Sequence, residues 1–204
     1  MNRRHTLPLT GLVSVLALAA CSTGTGTADE AADPFRIGVY APMTGEMAEY
    51  GETFQRAFDL YLAQVEEAGG VEGHPVELEI RDDRGEPRQA ANIAQELVDD
   101  PSIDATIGSF SSAASMAAAP IIERGGMPNI SPTSSHPDYT AQGEYLFRNV
   151  NTQEIEGELN ADFLHQELGE ASAAVVHRQD DWGLSAAEAF DEGFAGLGGE
   201  VVHT

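Results

Sequence analysis

The chain contains no lysine. All ten of its basic residues are arginine, set against 34 aspartates and glutamates for a formal charge of −24 over 204 residues. With a pI near 4.2, such a surface repels phosphate backbones and anionic headgroups, which excludes nucleic acid as a partner. Cysteine is almost as scarce: Cys21 stands alone, and a single thiol cannot close an internal disulfide. Long apolar runs are missing too. Leu7–Ala20 is almost uncharged, but at 1.5 Å per residue it reaches only ~21 Å of a ~30 Å hydrocarbon layer, too short for a permanent transmembrane helix. No Gly-x-Gly-x-x-Gly or Walker-type loop occurs, so no nucleotide cofactor is indicated. No Gly-x-Ser-x-Gly elbow occurs, and the six histidines (5, 74, 136, 165, 177 and 203) never show the His-x-x-x-His spacing of a zinc site. Asp82-Asp83 are two carboxylates where calcium wants more ligands, and they read as caps at a sheet end. A hydrolase using a loop serine lacks both elbow and histidine partner. No cofactor, metal or catalytic residue is therefore assigned.

What is present begins with an address. Met1-Asn-Arg-Arg-His carries positive charge ahead of the apolar run, the pattern of a secretory signal peptide over residues 1–20. The run ends in Leu18-Ala-Ala-Cys21, which resembles the bacterial lipobox, with Cys21 as the lipidation site. Acyl chains there would tether an exported protein to the cell membrane at ~0.8 kcal/mol per buried methylene. Cleavage leaves eight arginines against the 34 acids. The acidity fits either an outer surface adapted to salt or the drift of a GC-rich genome. Residues 21–34 hold no large apolar side chain and are expected to be a flexible tether.

From residue 35 onward the apolar pattern alternates between strand and helix, and a hydrophobic fraction of 42% suffices for a core. Strands are expected at Arg36–Ala41, Val76–Ile80, Ile103–Gly108, Pro128–Ser131, Tyr145–Arg148, Ala173–His177 (of fully buried type) and Glu200–His203. Helices are expected at Glu52–Ala68, with Phe54, Phe58, Tyr61, Leu62 and Val65 on one face, and from Pro87, with Ala90, Ile93, Ala94, Leu97 and Val98 on one face. Further helices are expected from Ser111/Ser112 to Arg124, at Thr152–Leu168 with an apolar stripe of Ile155, Leu159 and Phe163, and at Leu184–Leu197. Alternation at this spacing predicts an α/β fold, a parallel sheet covered by helices on both faces. Ligands of such sheets sit beyond the strands' carboxyl ends. The loops to watch are thus 42–51, 82–87, 108–113, 131–137 and 178–183.

Gly108-Ser-Phe-Ser-Ser-Ala113 joins a strand to a helix start, where hydroxyls beside unpaired helix N–H groups suit a carboxylate. Simple capping by Ser111 or Ser112 explains the same residues. Ser131-Pro-Thr-Ser-Ser135 is a second small polar cluster, either an ordinary turn or a place for an ammonium and a carboxylate. Tyr50 and Trp182 sit in loops at strand ends, as walls for an apolar side chain or as packed lid residues.

The order of these segments resembles the type I periplasmic binding proteins, specifically the leucine/isoleucine/valine-binding family of ABC importers. The resemblance rests on Ile37-Gly-Val-Tyr-Ala-Pro-Met-Thr-Gly45, Ala48-Glu-Tyr-Gly51, Ala68-Gly-Gly-Val-Glu-Gly73, Asp82-Asp-Arg-Gly-Glu-Pro87, Ile107-Gly-Ser-Phe-Ser-Ser112, Ile130-Ser-Pro-Thr-Ser-Ser135, Phe147-Arg148 and Asp181-Trp-Gly183. It implies two Rossmann-like three-layer lobes closing on an amino acid or similar amide-like solute, an extracytoplasmic location and ABC permease subunits as partners. It also implies that residues 35–150 form the first lobe and that 151–204 begin a second, the chain being the N-terminal part of a receptor. By the same resemblance, Ser112 donates to the ligand carboxylate, the Thr133 carbonyl receives the ammonium, and Ser135 touches both. Tyr50 and Trp182 flank the ligand. Gly85 and Ser111 stand where the prototype has a disulfide, so that bridge is not expected. A sensor of the same fold feeding a signalling partner is the alternative function.

Overall fold

The computed structural model describes residues 32–204. The signal-peptide reading, Cys21 and all of the expected tether before residue 32 lie outside them. Among the described residues, no helix is long and apolar enough to cross a membrane.

Five strands form one parallel sheet in the order β2-β1-β3-β4-β5: β1 is Phe35–Ala41, β2 Val76–Asp82, β3 Ala105–Gly108, β4 Asn129–Ser131 and β5 Leu146–Arg148. Helices make the crossovers: α1 (Ala48–Glu67) joins β1 to β2, α2 (Pro87–Asp99) joins β2 to β3, and α3 (Ser112–Gly125) joins β3 to β4. A 3₁₀ turn, Pro137–Gln142, leads into β5. From β1 the chain steps outward to β2, then returns to place β3 on β1's other edge. The order therefore reverses between β1 and β3, and this opens a crevice beyond their carboxyl ends.

Helix α2 buries Ala90, Ile93, Ala94 and Leu97, the face that the 3-and-4 spacing predicts, against Ala114, Ala118 and Ile122 of α3 and Tyr40 of the sheet. Small side chains on α3 let the two helices lie close. The centre of this core is polar. The Asn129 side chain accepts from the Thr106 hydroxyl at 2.8 Å and the Tyr40 hydroxyl at 3.3 Å, and donates to the Gly108 carbonyl at 3.0 Å and to the Tyr139 hydroxyl. Burial pushes the Tyr139 phenol up to about 12 and the Tyr40 phenol well above its ordinary value, so both stay protonated.

Beyond β5, α4 (Gln153–Asp162) runs on into a wider turn at Phe163–Glu167 and packs against α5 (Asp181–Gly196). Strands β6 (Ser172–Ala174) and β7 (Glu200–His203) make a second, two-stranded parallel sheet.

Three expectations need correction. Helix α1 starts at Ala48 rather than Glu52, and Tyr61 is 65% exposed while Phe54, Phe58, Leu62 and Val65 are half-buried. The apolar stripe of α4 is not its packing face: Ile155, Leu159 and Phe163 are exposed, and Gln153, Gly157 and Ala161 are buried instead. The reason is close approach, since a Cβ on Gly157 would come within 2.5 Å of the Ala189 backbone, so the row of small residues faces α5. Finally, the 173–177 segment is not a fully buried strand. Pairing covers only Ser172–Ala174, Ser172 and Ala174 are exposed, and Val176 is 98% exposed.

Candidate functional site

A cavity of about 350 Å³ lies at the sheet's carboxyl edge, lined by Glu46, Met47, Tyr50, Phe110, Ser111, Ser112, Thr133, Arg178, Asp180 and Trp182. That volume falls in the range of small-molecule sites. Four residues singled out from sequence (Tyr50, Ser112, Thr133 and Trp182) line this one space.

The turn from β3 into α3 divides its two serines between two tasks. Ser111 is the N-cap, its hydroxyl accepting from the Ala114 N–H at 3.2 Å. Ser112, at the first helical position, is 1% exposed, and its hydroxyl has no hydrogen-bond partner among the described residues. A buried unpaired hydroxyl costs about 1–3 kcal/mol, and native structures seldom keep one without use. It sits where the first N–H groups of a 14-residue helix and the positive end of its dipole favour an anion.

Buried serines bring the neighbouring loop to this turn. The Ser109 carbonyl accepts from the Ser115 hydroxyl at 3.2 Å and the Ser131 hydroxyl at 3.0 Å, and the Ser131 oxygen accepts from the Ser134 N–H at 3.0 Å. The Thr133 hydroxyl then donates to the Phe110 carbonyl at 2.6 Å. Arg148 fixes the far side of the same loop through the carbonyls of His136 and Pro137. Ser135 lies apart from the cavity lining. It is 6% exposed, and its carbonyl accepts from the Gln153 N–H at 3.0 Å, at the start of α4. Its neighbour Ser134 holds the other unpaired buried hydroxyl among the described residues, and nothing in the structure explains it.

On the aromatic side, the rings of Tyr50 and Phe110 stack at 4.2 Å between centroids. Trp182, 45% exposed, follows the N-cap of α5, where Asp180 accepts from the Gly183 N–H at 2.9 Å. A Cβ at residue 183 would come within 2.2 Å of the Arg178 carbonyl, so only glycine lets α5 begin this close to the strand-end loop. Gln153 completes the support, donating to the Trp182 carbonyl at 2.8 Å and accepting from Ser185. Sequence reasoning pointed to the right strand ends, but Tyr50 and Trp182 stand in the first turns of α1 and α5 rather than in loops, and it missed Glu46, Phe110, Arg178, Asp180 and the supporting Gln153. Their only sequence signal was membership of loops at the strand ends, or of α4.

Two adjacent carboxylates brace the site. Asp82 accepts from the N–H groups of Met43 (2.9 Å), Thr44 (3.1 Å) and Arg84 (3.0 Å) and from the Thr44 hydroxyl. Partial burial acts to raise this carboxyl, but those donors together outweigh it and hold it below the ordinary value. Asp83 is fully buried, accepting from the Ser109 hydroxyl (2.5 Å) and the Gly85 N–H (2.8 Å). Burial pushes its carboxyl up more than these bonds lower it. The native state thus binds the Asp83 proton more tightly than the unfolded chain, and stability from this group falls as pH rises from the ordinary carboxylate value through the raised one. Asp82 acts oppositely, its contribution being lost as pH falls through its depressed value. An Asp83→Asn variant removes the ionisation while the Ser109 hydroxyl can turn to accept. Its melting temperature minus that of wild type is expected to shrink between pH 7 and pH 4 in a series of thermal melts. A difference that stays constant or grows on acidification would contradict this placement of the charge.

With this geometry in place, the comparisons define the class. A crevice at the switch point of a parallel sheet, with a helix N-terminus and aromatic walls, is an arrangement suited to a small solute. The chain belongs to the periplasmic binding protein family, whose profile matches residues 34–204, a family of binding proteins rather than enzymes. It is 29% identical to a Leu/Ile/Val-binding protein homologue of Brucella melitensis over 87% of this chain and 48% of that protein. It is 30% identical to the crystal structure of a leucine binding protein from Thermotoga maritima, with a TM-score of 0.76 over 83% of this chain and 48% of that one. A Rhodopseudomonas palustris ABC-transporter solute binding protein, solved with 3,4-dihydroxybenzoic acid, is 27% identical with a TM-score of 0.76 over 84% and 46% of the two chains. The chain spans about half the length of the curated relatives it matches. The fold is that of the type I periplasmic binding proteins.

Proposed function

We propose that this chain supplies the ligand-gripping first lobe, residues 35–150, and the opening of a second lobe, 151–204, of an extracytoplasmic solute-binding protein of an ABC importer. Cys21 carries its lipid anchor, after removal of a signal peptide over 1–20, with 21–34 as tether and permease subunits as partners. The solute is a small amino acid of the branched-chain type. Its carboxylate lies at the N-terminus of α3 and accepts from the Ser112 hydroxyl. Its ammonium meets the Thr133 carbonyl, and its side chain lies between Tyr50 and Trp182. Ser135, whose carbonyl holds the start of α4, contributes by fixing the chain behind Thr133.

One observation carries this reading. The Ser112 hydroxyl is buried, faces no partner among the described residues and belongs to a residue lining the cavity. Relatives named for leucine, isoleucine and valine and a neighbour solved with a dihydroxybenzoic acid share a carboxylate in their ligands, which agrees with it. The test is a thermal-shift screen against amino acids, amides and small carboxylates. A ligand at a hundred times its Kd stabilises by about 2.7 kcal/mol, which is several degrees for a domain of this size. Stabilisation by amino acids is the expected result, and no shift from any of the three groups would contradict the proposal.

A further inference from the structure

Trp182 is the chain's one tryptophan, and it stands between two spaces. On one side it walls the cavity described above. On the other it lines an open recess of about 440 Å³ together with Val175, Val176 and Ala187, and Val176 is itself 98% exposed. Among the described residues no aromatic ring stacks on Trp182. The opposite wall is built differently, with Tyr50 backed by Phe110 at 4.2 Å and Phe110 by Phe54 at 5.9 Å. A wall without backing depends on its main chain for its place.

Gln153 fastens that main chain. The residue is fully buried at the start of α4. Its side-chain amide donates to the Trp182 carbonyl at 2.8 Å and accepts from the Ser185 hydroxyl, both near the start of α5. A carbonyl only accepts, so the nitrogen must face Trp182 and the oxygen Ser185, and the amide has one orientation. The main-chain N–H of the same residue donates to the Ser135 carbonyl at 3.0 Å, two residues beyond Thr133. Thr133 is in turn tied to the Phe110 carbonyl at 2.6 Å. One buried residue thus joins the loop on the cavity's polar side to the wall on its apolar side. A spacing fixed in this way is preorganised, and little ordering is left to be done on binding.

We propose that Gln153 is the positioning residue behind the cleft's discrimination by side-chain size: it fixes the gap between the Thr133 loop and Trp182, which a branched aliphatic side chain fills and a methyl group leaves open. This rests on the placement of the solute's side chain against Trp182 made above, and adds to it a residue that touches no ligand. Each methylene buried against the wall contributes about fourfold in affinity. That contribution falls steeply when the wall drifts, because a gap of about 0.5–1 Å already forfeits a quarter to a half of a dispersion contact.

The experiment compares L-leucine with L-alanine, which has the same charged groups and three fewer side-chain carbons. Each is titrated calorimetrically into the 204-residue chain, wild type and Gln153→Met, while the emission of Trp182 is followed. Methionine keeps the length of the buried side chain without its donor, and Ser185 retains its bond to the Asp181 carbonyl at 2.8 Å. In wild type, leucine is expected to bind about tenfold or more tightly than alanine. In Gln153→Met the two are expected to fall within about threefold, through loss of leucine affinity, and acrylamide is expected to quench Trp182 more in the variant's leucine complex than in that of wild type. Gln153→Asn, one methylene too short to reach the Trp182 carbonyl, is expected to give the same result and replaces methionine where the latter impairs folding. A wild-type ratio near one, an unchanged ratio in the variant, or equal weakening of both probes overturns the role of Gln153 and leaves the carboxylate reading standing. Leucine that binds wild type without altering Trp182 emission overturns the side-chain placement and this role with it. No binding of either probe overturns the carboxylate reading as well.

Discussion

Replacing Ser112 with alanine is expected to weaken amino-acid binding by about ten- to hundredfold while raising the melting temperature of the ligand-free chain by a few degrees. The two changes have opposite signs because one hydroxyl causes both. Without ligand it is a buried donor with no partner among the described residues, at a cost of about 1–3 kcal/mol that alanine removes. In the proposed complex it donates to the ligand carboxylate, an interaction of about 1.5–3 kcal/mol. Ser111 keeps the helix capped in the variant through its bond to Ala114. A scaffold serine would show neither effect, and a core-packing serine would lose stability. Thermal melts with and without ligand, together with calorimetric Kd values, separate these cases. Unchanged affinity with a lower melting temperature would remove Ser112 from the site.

The largest loss of stability is expected at Asn129. Its side chain serves two phenols, one hydroxyl and one carbonyl, and Tyr40, Thr106 and Tyr139 are all at most 1% exposed. Truncation to alanine strands the two phenols and the Gly108 carbonyl where water does not replace the lost partner, while the Thr106 hydroxyl keeps the Pro128 carbonyl at 3.2 Å. Each stranded group costs on the order of 1 kcal/mol or more, and networks of this kind lose more than their pairs suggest. An Asn129→Ala variant is therefore expected to lose about 3–5 kcal/mol in denaturant unfolding. It also frees the Gly108 carbonyl, which leads directly into the Ser109–Ser112 turn, so residual folded protein is expected to bind ligand more weakly. A loss below about 1 kcal/mol would mean that the network does not hold the sheet's centre.

Much of this architecture is written locally. The α2 face at Ala90, Ile93, Ala94 and Leu97 follows from helical spacing, and Pro87 marks its first turn. The alternation of strands and helices implies the parallel sheet, and the parallel sheet implies where the site lies. Asp82 reads from sequence as a sheet-end cap, and in the structure it clamps the turn after β1. Apolar periodicity misleads where packing is governed by close approach. Ile155, Leu159 and Phe163 form the stronger stripe, yet Gly157 and Ala161 meet α5 because the backbones come too near for larger side chains. The strand at β6 reads as buried because valine and alanine cluster there, while its cover depends on neighbours that short-range pattern does not encode. At the site, the loops were legible and the partnerships were not. Ser111 and Ser112 are equivalent in a string of letters, and only the helix start decides which one caps and which is left free. The pairing of Arg178 with Asp180 is likewise a fact of three dimensions.

The central claim is that a small solute is held by its carboxylate at the start of α3. A crystal structure of the chain grown with L-leucine tests it most directly. The expected density places a carboxylate oxygen about 2.6–3.0 Å from the Ser112 hydroxyl, beside the first N–H groups of the helix. A ligand whose carboxylate turns instead to Arg178, or which lies outside the cavity altogether, would contradict it.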